Sequence, residues 1–157
     1  MFNGSYGSFY DTGTVTNAAN TGQPRVMQLN TSDTAATNGI AVTGPSNSRV
    51  TVSRTGVYNL DFSAQFLIAP KELALGPIEI WLSKNGITMP WTASRVYIDS
   101  KGGHAIAAWN FYIALAAGDY VELVWACLDP QVSLASVPAT GSMPAIPSLI
   151  VTMDQVS

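Results

Sequence analysis

Leu115-Ala116-Ala117-Gly118-Asp119-Tyr120-Val121-Glu122-Leu123-Val124-Trp125-Ala126-Cys127 is the stretch whose reading decides the fold. Ala116 to Asp119 turn the chain, because glycine accepts positive φ and aspartate bonds its own nearby backbone. The run that follows alternates. Val121, Leu123 and Trp125 share one phase, and Tyr120, Glu122, Val124 and Ala126 share the other. A period of two in a run rich in β-branched and aromatic residues is a strand with two different faces. The phase of Val121, Leu123 and Trp125 is assigned to the core, since the opposite choice buries Glu122.

Working outward, the same pattern recurs on both sides. Gly56 opens Val57 to Phe66, in which Tyr58, Leu60, Phe62, Ala64 and Phe66 alternate with Asn59, Asp61, Ser63 and Gln65. That is a strand with one dry and one polar face. Pro77 to Leu82 forms another, ending at Asn85-Gly86, the signature of a tight hairpin. Further strands are read at Val26–Leu29, Gly39–Thr43, Arg49–Ser53, Trp91–Ile98, Tyr120–Leu128, Val132–Val137 and Ser148–Met153. Ala105 to Leu115 is apolar on both phases, so it is a buried strand or a short helix, and Trp109, Phe111, Tyr112 and Ile113 favour the strand. Lys71 to Leu75, caught between Pro70 and Gly76-Pro77, is read as a loop. Residues 1–23 are rich in Gly, Ser, Thr and Asn and are read as an extended arm or an early irregular strand. The expected organisation is therefore an arm over 1–23 and one domain over 24–157. The expected fold is all-β, a sandwich of two antiparallel sheets with about ten strands.

Composition excludes several function classes. The chain has 157 residues, a one-domain length, with 47% apolar residues and a net charge of −3. Charged residues make only 11%, against about 25% in ordinary soluble domains. The missing polarity is carried by 14 Thr, 15 Ser and 9 Asn. Seven scattered basic residues and a pI near 4.8 give no footprint for nucleic acid or for anionic lipid. No run reaches the length of a membrane-spanning helix. The single Cys127 cannot close an internal disulfide. Met1 is followed by neither a basic nor an apolar signal segment, so the chain reads as a complete small gene product.

Catalytic groups are few. His104 is the one histidine and lies in a Gly-Gly-His loop, with no Gly-x-Ser-x-Gly elbow elsewhere to pair with it. Cys127 sits among apolar residues and reads as inert packing. Asp99, Asp119 and Asp129 fall at strand ends, where aspartate caps turns; a loop Ca²⁺ site is the competing reading. Glu79 and Glu122 are the nearest thing to a glycosidase pair, without supporting spacing. No metal-ligand motif and no cofactor motif is present. Trp81 and Trp109 lie in apolar runs and are assigned to the core, whereas Trp91, after Pro90, is the candidate exposed aromatic. Asn3-Gly4-Ser5 and Asn30-Thr31-Ser32 match the glycosylation pattern but have no signal peptide to support them.

Four segments together resemble a known family. They are Gly56-Val57-Tyr58-Asn59-Leu60, Ile80-Trp81-Leu82-Ser83-Lys84-Asn85-Gly86, Leu115 to Leu123, and Ser148-Leu149-Ile150-Val151. Their order and spacing resemble the trimeric jelly roll of the complement globular head and tumour necrosis factor superfamily, over residues 24–156. Ser8-Phe9-Tyr10-Asp11, Ala107 to Phe111 and Pro144 to Ser148 are similar to versions in tailed-bacteriophage virion proteins. The resemblance implies a non-enzymatic homotrimer that decorates the capsid exterior and clamps neighbouring major capsid subunits, with synthesis in the host cytoplasm. The alternative it implies is the receptor- or carbohydrate-binding tip of a tail fibre, using Trp91 or Tyr97. It places Tyr120, Glu122, Val124 and Ala126 at the trimer axis, with Gln28, Arg25 or Lys84 as partner for Glu122. The arm would reach the capsid through Phe2, Tyr6, Phe9 and Tyr10. It implies no cofactor, no metal, no nucleic acid and no membrane partner.

Overall fold

A computed structural model describes residues 4–18 and 21–157. Its strands are β1 (Tyr6–Asp11), β2 (Val15–Thr16), β3 (Arg25–Val26), β4 (Thr31–Ser32), β5 (Ile40–Thr43), β6 (Arg49–Val52) and β7 (Gly56–Ile68). They continue as β8 (Ile78–Lys84), β9 (Ile87–Thr88), β10 (Ser94–Val96), β11 (His104–Leu115), β12 (Tyr120–Cys127), β13 (Val132–Leu134) and β14 (Leu149–Gln155). Four of them, β2, β3, β4 and β9, are two-residue pairings, so the longer strands match the number expected. The helical content among the described residues is one 3-10 turn, Thr34–Ala36, whose first amides are capped by Asp33.

Two antiparallel sheets form. In the first, β7 is central. β11 covers one edge over its whole length, and β14 and β13 share the other edge end to end. β1 then pairs with β14 and β4 with β1. In the second sheet β12 is central, between β8 on one side and β6 and β3 on the other, with β10 and β9 on the outer edge of β8. β5 completes it beside β6.

The core lies between the sheets and is built by the alternation read from the sequence. Tyr58, Leu60, Phe62, Ala64 and Phe66 from β7 meet Val121, Leu123 and Trp125 from β12. Phe66 and Trp125 pack edge to face at 5.3 Å, and Phe62 and Trp109 at 4.7 Å. Such pairs add about 0.5–1.5 kcal/mol beyond the area they bury. The hairpin after β8 turns at Asn85 and Gly86, both at positive φ (51° and 81°), which matches the strand twist.

The N-terminal segment departs from the arm reading. Tyr6 to Asp11 form β1, paired along its whole length with β14 and carrying Phe9 at 0% exposure into the core. The jelly roll therefore begins well before residue 24. Gly7 makes room for that ring, since a Cβ there would meet Phe9 Cε2 at 2.6 Å. Ala105 to Leu115 is settled as an edge strand, and Lys71 to Leu75 is not helical. The Trp91–Ile98 strand shrinks to β10, because Trp91 sits at φ 65°, outside the strand region.

Candidate interaction surface

The two sheets turn very different outer faces to solvent. The strands of the second sheet carry Arg25, Arg49, Lys84 and Arg95. Arg95 pairs with Glu79 at 2.8 Å, Arg49 lies over the Tyr120 ring at 4.5 Å, and Lys84 reaches Asp119 at 3.2 Å. The strands of the first sheet carry no Lys or Arg at all. The three remaining cations, Arg54, Lys71 and Lys101, lie between strands.

Register defines what the first sheet presents instead. Tyr6, Asp154, Asn59 and Tyr112 stand in one cross-strand row; Ser8, Thr152, Asp61 and Asn110 stand in the next. Tyr10, Ile150, Ser63 and Ala108 follow, then Gln65 beside Ile106. Ile106 and Tyr112 are 61% and 69% exposed, and Tyr6 and Ile150 are also open to solvent. Amides tie the polar centre together. Asn59 Nδ2 donates to Asp61 at 2.7 Å and Asn110 Nδ2 to Asn59 Oδ1 at 2.9 Å. At one end Tyr10 and Ile150 run on into a groove of about 520 Å³, walled by Val137, Ile146 and Pro147. That wall belongs to a hairpin whose residues 138–146 are all exposed and uncharged.

β11 adds a further feature. Its second edge is unpaired among the described residues, and its twelve residues contain no Lys, Arg, Asp, Glu or Pro. Charge, proline and bulges are the devices that keep a long edge strand from pairing with another chain. Charge and proline are both missing here.

The expected interface residues are placed differently. Tyr120, Glu122, Val124 and Ala126 lie on the outer phase of β12, in the second sheet. Glu122 and Val124 are buried already, at 8% and 7% exposure. The partner of Glu122 is Ser48, whose hydroxyl donates to the carboxylate at 2.5 Å, and not Gln28, Arg25 or Lys84. Arg25 instead donates to the Thr16 carbonyl, Lys84 donates to the Ala114 carbonyl, and Gln28 is exposed. These five residues therefore do not form an open face. Of the expected capsid contacts, Phe9 is a core residue, Tyr6 and Tyr10 face outward on β1, and Phe2 lies outside the described residues.

The candidate chemical groups do not converge. His104 is exposed at the start of β11, opposite Leu67. Cys127 is buried, and burial pushes its thiol up. Glu79 pairs with Ala126, four positions along β12 from Glu122. That is about 13 Å of strand, too far for a carboxylate pair acting on one glycosidic bond. Asp129 is a turn cap, its carboxylate accepting from the amides of Leu75 and Gln131, both at 2.8 Å. Among the described residues no three His, Cys, Asp or Glu side chains are grouped to hold a metal ion. Trp91 is fully exposed, whereas Trp81 and Trp109 are half-buried and Trp125 is buried.

With sheet order, register and outer faces established, similarity to solved structures becomes informative. The globular domain of zebrafish complement 1qA protein superposes with a TM-score of 0.57, over 99% of this chain and 98% of that one. The fold is the complement-type jelly roll. Sequence identity is 14%, so the likeness concerns the fold alone. No protein-family model matches the chain. No curated protein matches it by sequence. The jelly roll here spans β1 to β14, which accounts for the burial of Phe9 and for the near-complete cover of both chains.

Proposed function

We propose that this protein is a non-enzymatic structural module that assembles as a homotrimer through the outer face of β1, β14, β7 and β11, and that it decorates the outside of a tailed-phage capsid. The observation that carries the self-association is the cation-free face, with its exposed Ile106, Tyr112, Tyr6 and Ile150. A half-apolar sheet face with neutral amides matches the make-up of subunit interfaces, where charge is depleted and aromatic residues are enriched. Trimerisation and the virion role rest further on the resemblance of the segments around Gly56, Lys84, Gly118 and Pro144. With β1 committed to the sheet, the element that projects toward the major capsid protein is the uncharged hairpin 138–146.

The test is copy number on purified particles. Hundreds of copies per particle, lost on deletion of residues 139–145, support decoration. A few copies at the tail, or none, overturn it.

A second reading, the receptor-binding tip of a tail fibre, is favoured by Trp91. A fully exposed tryptophan at positive φ is a strained, presented side chain of the kind that stacks on a sugar ring. Saturable glycan-array binding abolished by Trp91→Ala supports that reading over decoration.

A further inference from the structure

The face described above contains two exposed carboxylates, Asp61 on β7 and Asp154 on β14. Asp61 is flanked by Thr152 and Asn110, and Asp154 by Tyr6 and Asn59. The other titratable side chains on this face are Tyr6 and Tyr10 from β1, and His104 and Tyr112 from β11; β2, β4 and β13 contribute none. His104 stands six strand positions from Asn110, about 20 Å from the Asp61 row. The side-chain donor to Asp61 is a neutral amide, Asn59 Nδ2. Among the described residues, the strands of this face bring no Lys or Arg to either carboxylate.

When copies of the chain close over such a face, two effects act in the same direction. The carboxylates lose water, and like charges from neighbouring subunits approach one another. Both favour the protonated form. The assembled state then binds protons more tightly than the free subunit, and linkage requires association to strengthen as pH falls.

We propose that self-association through this face is proton-linked, with Asp61 and Asp154 as the groups that take up protons, so that the assembly tightens in mild acid and loosens as these carboxylates ionise. The proposal rests on the self-association reading and adds its regulation. It gives the low charge of the chain a mechanical role, because a face with two carboxylates and neither Lys nor Arg is switched by protons.

Sedimentation equilibrium of the full chain tests it, at fixed ionic strength and with a chelator present, between about pH 4 and pH 8, a window that reaches the ordinary carboxylate range. The association constant is expected to rise at least about tenfold as pH falls through this window, because each carboxylate raised by one unit on assembly contributes a factor of about five by pH 4 and every copy brings two. The double variant Asp61→Asn/Asp154→Asn is expected to associate tightly throughout, with a flat profile. A second double variant, Glu72→Gln/Asp99→Asn, removes the same charge at exposed positions off the face and is expected to keep the wild-type slope. His104→Asn is expected to keep it as well. An oligomer whose constant ignores pH overturns the proposal, as does a flat profile in the Glu72/Asp99 control. A monomer at every pH overturns the self-association reading itself.

Discussion

Asn85 and Asp119 lock together the two turns that carry the chain's most specific motifs. Asn85 Nδ2 donates to Asp119 Oδ1 at 2.8 Å, while Asn85 Oδ1 accepts the Tyr120 amide at 3.0 Å. Asp119 Oδ2 accepts the Ala116 amide at 2.8 Å and meets Lys84 at 3.2 Å. The turn after β8 and the turn before β12 are therefore one hydrogen-bonded unit, which sets the register of these two central strands.

The Asn85 hydrogen bond, the Ala116 amide and the Lys84 ammonium hold the Asp119 carboxyl below the usual carboxylate range. A depressed folded-state value stabilises the protein above the ordinary carboxylate value and loses that effect as pH falls through the folded one. Asp119→Asn is thus expected to lower the melting temperature at neutral pH, with the difference from wild type closing in strong acid. Thermal melts across that range check this, and a constant difference at all pH values counts against the account.

Phe9 is a core residue, so Phe9→Ala should cost about 3–5 kcal/mol in urea denaturation. Tyr10→Ala, on the outer phase of the same strand, should leave the monomer's fold intact. Deleting residues 1–12 should abolish cooperative unfolding, because it removes the neighbour of β14. A truncated chain that still unfolds cooperatively contradicts the placement of β1 within the sheet.

Ile106→Asp and Tyr112→Asp put charge on the cation-free face. Each should convert the assembly to monomer by light scattering while circular dichroism stays that of the folded sheet. Ile87, 74% exposed, lies on a hairpin off the face; Ile87→Asp places the same charge there and should leave the mass unchanged.

Trp91 holds φ 65° with its side chain fully in solvent. No packing is lost when it is removed, and the left-handed backbone costs an L-residue about 1 kcal/mol or more. Trp91→Gly should therefore stabilise the fold by about 1 kcal/mol in urea denaturation. Destabilisation instead means that the indole packs against a neighbour.

Much of the fold was legible. β7 and β12 announce themselves because alternation separates Tyr58, Leu60 and Phe62 from Asn59 and Asp61, and Leu123 and Trp125 from Glu122. β1 was ambiguous for a physical reason. Its inward phase reads Gly7, Phe9, Asp11, of which only Phe9 is apolar. Gly7 is small to admit that ring, and Asp11 is buried by a hydrogen bond from Ser148, 137 positions away. Glu122 failed similarly. Alternation put it on the outer phase correctly, but its cover by Ser48, 74 positions away, has no local signal. The candidate face was half visible, as the polar phase of β7. Its lack of cations emerges only when register brings β1, β11 and β14 alongside β7.

The central claim, assembly through the outer face of β1, β14, β7 and β11, is tested most directly by the mass in solution. Sedimentation equilibrium at micromolar concentration should return three times the 16.6 kDa chain mass for the wild type, falling to the chain mass in Tyr112→Asp. A wild-type mass of a single chain, or a trimer indifferent to Tyr112→Asp, contradicts it.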